Sequence, residues 1–157
     1  MRRNNMLPKY HFIFGLSFVI FLYFLFPQIS LLGLSIIFLS SFFIDVDHYL
    51  YYFLKEKNLN LKRGYNWYKN KIKRTYSLPM SERKKIYSGF YLFHGIEWII
   101  LLFLLGYFIS SFFTFIAIGF LFHLIVDVFH EIYFKRSIDK SSLIYNYYRW
   151  RKLKIKN

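Results

Sequence analysis

Residues 110–134 read SSFFTFIAIGFLFHLIVDVFHEIYF. The stretch contains no Lys or Arg, and its ionisable groups, His123, Asp127, His130 and Glu131, are confined to its C-terminal half. An apolar run of about 20 residues is long enough to cross a bilayer as a helix. A helix that is apolar on every side needs either a protein core or lipid around it. This segment therefore reads as a spanning helix whose inner end carries chemistry.

The same pattern recurs upstream. No basic residue occurs between positions 10 and 54 or between 86 and 134. A span needs roughly 20 residues, so each block is too long for one helix. Pro27-Gln28 divides the first block and Ser110-Ser111 the second. The expected helices cover residues 11–26, 29–53, 90–109 and 112–134, paired as two antiparallel hairpins across short uncharged turns. The predicted fold is all-α: one polytopic membrane domain with four transmembrane helices. No small-residue cleavage site follows Phe26, which argues against a removable signal peptide.

Composition agrees. Of 157 residues, 56% are hydrophobic and 25% aromatic, with 21 Phe and 15 Tyr. Cysteine is absent, which excludes disulfides, thiolate metal sites and cysteine nucleophiles. The net charge of +14 would suggest nucleic acid if it were spread over a surface. It is instead gathered before, between and after the apolar blocks, as in membrane proteins, so no nucleic-acid partner is expected. An even number of spans places both termini and the central loop on one side. All 22 basic residues then lie together, and the positive-inside rule assigns that side to the cytoplasm of a multi-pass cell-membrane protein.

The central loop, residues 55–88, mixes 11 basic residues with Leu59, Tyr65, Trp67, Tyr68, Ile72, Tyr76 and Ile86. The tail, residues 135–157, repeats the mixture with Leu143, Ile144, Tyr147, Tyr148, Trp150 and Leu153. Both read as amphipathic interfacial segments, with anionic lipid headgroups as their partners. A homo-oligomer is compatible with this plan.

Five of the eight acidic residues lie inside the apolar blocks: Asp45, Asp47, Glu97, Asp127 and Glu131. All five histidines, His11, His48, His94, His123 and His130, are there as well. A carboxylate near the bilayer centre costs about 2.5–3.5 kcal/mol on insertion scales, so such groups are paired or functional. With no Lys or Arg in either block, the remaining options are protonation, hydrogen bonding to histidine, or a metal cation. At 1.5 Å rise per residue, His11, Asp45, His94 and Asp127 reach one level, about 22–24 Å from the outer helix ends. Around the helix axis, His123, Asp127 and His130 fall within an arc of about 60°. Asp45 with His48, and His94 with Glu97, are i, i+3 pairs. Inward carboxylate and histidine pairs at such spacing are how helical bundles build metal sites. On an unbroken helix Asp47 would point away from Asp45.

At these residues the sequence resembles the YdjM-like family of membrane-bound, metal-dependent hydrolases. Lys9-Tyr10-His11 with Phe14-Gly15-Leu16 is similar to the family's N-terminal histidine segment. Ile44-Asp45-Val46-Asp47-His48 resembles its P-D-x-D-H segment, with Ile44 in the place of proline. Phe93-His94 takes the position of its central Thr-His motif, without the usual preceding His-Arg. The run from Gly119 through His123 to Asp127 is similar to its G-x-x-x-H-x-x-x-D. The resemblance implies a metal-dependent hydrolase.

The expected ligands are His11, Asp45, His48, His94, His123 and Asp127. Glu97 is the expected general base, or a further ligand. Asp47, His130 and Glu131 are expected to orient ligands by hydrogen bonds. Imidazole with carboxylate suits a divalent ion, zinc first, with Mn and Fe as alternatives. The location points to lipid esters or phosphoesters as substrates. A small ion or metal transporter, and a non-catalytic protein stabilised by metal, are the competing readings. No G-x-S-x-G elbow and no phosphate-binding glycine loop are present.

Overall fold

In a computed structural model, the chain is described at residues 8–83, 85, 86, 89, 91–134 and 141–154. Every regular element among them is a helix: α1 (Pro8–Leu25), α2 (Leu31–Phe43), α3 (Val46–Glu56), α4 (Leu61–Ser77), α5 (Met80–Arg83), α6 (Ile96–Phe108), α7 (Ser111–Phe134) and α8 (Leu143–Lys154). The basic residues before Pro8, the expected helix start at Phe90, and tail residues 135–140 and 155–157 lie outside the described residues.

Helix α1 stops two residues before Pro27, whose ring and missing N–H do not suit a helix interior. Ser30 then caps α2, its hydroxyl accepting from the Gly33 N–H at 3.1 Å. The turn between α6 and α7 is held by Ser110, whose carbonyl accepts from Phe113 N at 3.0 Å. Helix α7 is the centre of the bundle and packs on α2 and α6, while α2 also packs on α1.

Small residues set these approaches. A Cβ on Gly119 would collide with Ser40 Oγ and would stand 2.5 Å from the Ile37 carbonyl oxygen, so α7 lies backbone to backbone on α2. A Cβ on Gly15 would stand 2.6 Å from Ser41 Oγ, which brings α1 onto the same turn of α2. Close approach at Gly and Ser is the packing used by helices in lipid, where apolar burial gives no drive between them. Leu22, Leu34 and Ile37 form an apolar cluster, with Phe18, Phe115 and Ile118 packed around them. Much of the apolar surface faces outward, including Phe24 at 77% and Tyr107 at 83% exposure.

Two helical stretches, Leu31–Glu56 and Ser111–Tyr133, are long and apolar enough to cross a membrane. Tyr10–Leu25 and Ile96–Phe108 are apolar but shorter, so length and composition support two spans where four were expected.

Two expected helices differ in form. The helix predicted over 29–53 is interrupted at Ile44-Asp45, where Asp45 N–H turns to Phe42 O at 3.3 Å and Asp47 N–H to Ile44 O at 3.2 Å. These three-residue bonds tighten the chain and change its register, so Asp47 no longer points away from Asp45. The helix predicted over 90–109 begins only at Ile96, with Gly95 extended before it. Its expected first turn is held open from both sides. Asp47 accepts the Phe93 N–H at 2.5 Å, and the Leu92 carbonyl accepts Trp98 Nε1–H at 2.7 Å. His94 and Glu97 are therefore not successive turns of one helix.

The central loop contains α4, capped by the Asn60 side chain on Arg63 N at 2.9 Å. Its inner face repeats at helical spacing through Gly64, Trp67, Tyr68, Lys71, Thr75 and Tyr76. Gly64 seats on Tyr49 and Tyr52 of α3, so part of the face expected to lie on lipid is covered by protein.

Candidate metal centre

The break at Asp45 builds the site. In a continuous helix the Ser41 carbonyl would accept the Asp45 N–H. With that N–H turned to Phe42, the Ser41 carbonyl instead faces His123 Nδ1 at 2.8 Å. The contact across α2 and α7 is possible because Gly119, one turn earlier, lets the backbones touch. An N–H on Nδ1 leaves the His123 Nε2 lone pair pointing into the bundle. His11 sits one turn before Gly15 and stacks on His123, ring centroids 4.2 Å apart. On both α1 and α7, a histidine four residues from a close-packed glycine reaches the same point.

His94 enters from the non-helical segment before α6. Its Nδ1 lies 3.1 Å from Asp47 Oδ2, and its Nε2 faces Asp45 Oδ1 at 3.8 Å and Asp127 Oδ2 at 3.7 Å. Asp47 fixes the ring orientation, as carboxylates behind metal-binding imidazoles do. His48 Nε2 lies 3.4 Å from Asp45 Oδ1, and its ring stacks on His94 at 4.9 Å. Asp127 faces His11 Nε2 with Oδ1 at 3.3 Å and His123 Nε2 with Oδ2 at 3.8 Å. His94 and His123 are 1% exposed and Asp127 3%, so bulk water does not hydrate them.

The separations at the histidine Nε2 atoms, 3.3–3.8 Å, are longer than an ordinary N–H to O hydrogen bond of about 2.7–3.2 Å. Ligand atoms about 2.1 Å from a tetrahedral ion stand about 3.4 Å from each other. The spacing therefore suits co-ligands of a cation. Asp45 Oδ2 and His123 Nε2 are buried and have no hydrogen-bond partner among the described residues. Buried polar atoms are normally satisfied, and leaving one unsatisfied costs about 1–3 kcal/mol. A cation would satisfy both. Three sets of groups meet the ligand requirement, with the atoms of each set within 4.8 Å of one another: His11, Asp45 and His123; Asp45, His48 and His94; His94, His123 and Asp127. The buried His and Asp groups could coordinate a metal ion, and imidazole with carboxylate does not by itself select which.

Other expected positions lie elsewhere. Glu97 belongs to none of these sets. Its carboxylate accepts from Ser142 Oγ at 2.6 Å, Leu143 N at 3.0 Å and Ile144 N at 3.3 Å. The two N–H groups are unbonded donors at the start of α8, where a negative charge is stabilised. In this arrangement the Glu97 oxygens hold the start of α8, because the helix carrying Glu97 starts after His94. His130 is half-buried beside Tyr76, ring centroids 6.1 Å apart, and Glu131 is buried one turn beyond Asp127. Neither belongs to the ligand sets.

Tyr68 and Tyr91 complete the surroundings and were not anticipated. Tyr68 of α4 stacks on His48 at 4.8 Å, Tyr91 meets the same ring edge-on at 4.5 Å, and the two hydroxyls are hydrogen-bonded. Burial, reinforced by Tyr91, pushes the Tyr68 phenol well above its ordinary pKa, so it stays protonated. In a chain with 15 Tyr no local pattern marks these two. Ser40-Ser41 carried a legible signal, as paired small polar residues within an apolar helix.

Comparison with known protein families, curated proteins and solved structures returns no match.

Proposed function

We propose that the chain is a membrane-embedded, metal-dependent hydrolase acting on lipid esters or phosphoesters, with four spans and its site toward the cytoplasm. The observation that carries the reading is the convergence of four histidines and two aspartates at N to O separations of 3.3–3.8 Å. The outward apolar surface of α1, α2, α6 and α7 supports residence in lipid. The segregation of basic residues supports the orientation. It also accords with what the resemblance to the YdjM-like family implies.

A divalent ion at such a site would polarise a carbonyl or phosphoryl oxygen and acidify a water molecule. The chain's part is to hold the ligands rigidly, through Ser41 behind His123 and Asp47 behind His94, and to exclude bulk water. Lys71 lies over Tyr51 at 4.7 Å and Trp67 at 5.1 Å on the inner face of α4. It offers positive charge to an anionic headgroup beside the site.

The test is elemental analysis of untagged protein purified in detergent, wild type beside Asp127→Ala and His94→Ala, followed by turnover of lipid esters and phosphoesters in reconstituted membranes. Bound transition metal in the wild type, lost in both variants together with turnover, is expected. Wild-type protein without metal would refute the proposal. A structural metal is the second reading, favoured because the ligands come from α1, α2–α3, the segment before α6, and α7. Metal and stability lost in His123→Ala, with no turnover of any lipid by the wild type, would establish it.

A further inference from the structure

Resting on the metal-site reading above, we infer that the cluster holds two divalent cations bridged by Asp45 and Asp127. The histidines are arranged as two stacked pairs, His11 with His123 and His48 with His94. A neutral imidazole offers one lone pair, so each Nε2 serves one ion. A carboxylate has two oxygens with two lone pairs each and can serve two ions at once.

The three ligand sets overlap in a way that this valence rule resolves. Asp45 is shared by the set containing His11 and His123 and the set containing His48 and His94. Its Oδ1 lies 3.4 Å from His48 Nε2, 3.8 Å from His94 Nε2 and 3.7 Å from His123 Nε2, and so addresses both pairs. Asp127 does the same from the opposite helix. Oδ1 faces His11 at 3.3 Å, while Oδ2 lies 3.7 Å from His94 and 3.8 Å from His123. Assigning one ion to His11 and His123 and the other to His48 and His94 uses each nitrogen once. Both aspartates then bridge, and each ion has four protein ligands. A single ion in the third set, His94, His123 and Asp127, would leave His11 and His48 without a ligand role. The short reach of both carboxylates across the two pairs suits ions about 3.5–4 Å apart, the usual separation of paired metal sites.

The experiment uses full-length, untagged protein in detergent, stripped by chelator and titrated with Mn(II). Two ions per chain at saturation, with the spectrum of an exchange-coupled Mn(II) pair by electron paramagnetic resonance, are expected for the wild type. His11→Ala and His48→Ala should each fall to one ion per chain and lose the coupling. One uncoupled ion per wild-type chain would overturn the paired site while leaving the metal-site reading intact. No bound ion would overturn both. The wild-type count and spectrum decide the matter even where a variant does not fold, and His11→Gln and His48→Gln provide second variants of closer size.

Discussion

His94 has its two ring nitrogens in different surroundings, Nδ1 against Asp47 and Nε2 toward Asp45 and Asp127. Asp47 also accepts the Phe93 N–H, so one carboxylate fixes both the backbone and the ring. Asp47→Asn is expected to weaken metal affinity about 10–100-fold, the usual cost of losing such an outer partner. Competition with a chromogenic chelator would measure it, and unchanged affinity would remove Asp47 from the site. Tyr68→Phe keeps the stack on His48 but removes a buried hydroxyl bonded to Tyr91. A stability loss of about 1 kcal/mol with metal content unchanged is expected from chemical denaturation in detergent. The histidines and aspartates that could bind a cation were readable from their chemistry and spacing. The direction of Asp47 was not, because it depends on the break beside it.

Helices α1, α2 and α7 meet where Gly15 and Gly119 face Ser41 and Ser40. At Gly119 the neighbouring atoms include backbone, Ile37 O at 2.5 Å and Ser41 N at 2.9 Å, which cannot rotate away. Gly119→Ala should therefore destabilise by about 1–3 kcal/mol, the cost of overpacking. It should also lower metal affinity, because the bond from His123 to Ser41 lies one turn away. A thermal transition equal to wild type would contradict this packing. Glu97 acts on a different element. Glu97→Ala removes the acceptor for the first N–H groups of α8 and should cost about 0.5–2 kcal/mol. Limited proteolysis should then cut within residues 141–154 sooner, while metal stoichiometry stays the same. Loss of metal in that variant would return Glu97 to the ligand set. Sequence spacing placed Glu97 a turn beyond His94 because it assumed that the helix was already running there.

The bundle as a whole shows much apolar surface outward and gathers its ionisable core at one end of α1, α2 and α7. A chain without cysteine is convenient for testing how it sits in a membrane. In the proposed four-span arrangement, Asn58→Cys should be labelled by an impermeant thiol reagent only from the cytoplasmic side. Gln28→Cys and Ser110→Cys should be labelled only from the opposite side. Labelling of all three from one side would overturn the arrangement. The all-helical class, the turns near Pro27 and Ser110, and the segregation of charge were legible in the chain, because each follows from local hydropathy and from proline and serine chemistry. Hydropathy does not report what a helix end meets. The interruption at Ile44-Asp45 is a local tightening that hydropathy does not show, and the late start of α6 and the stack of Tyr68 on His48 involve contacts between distant segments. Residue order thus settled which groups are available to bind a cation. Only the tertiary packing decided which of them converge, because backbone contact of α7 on α2 at Gly119 and the freed Ser41 carbonyl aim His123, and Asp47 aims His94.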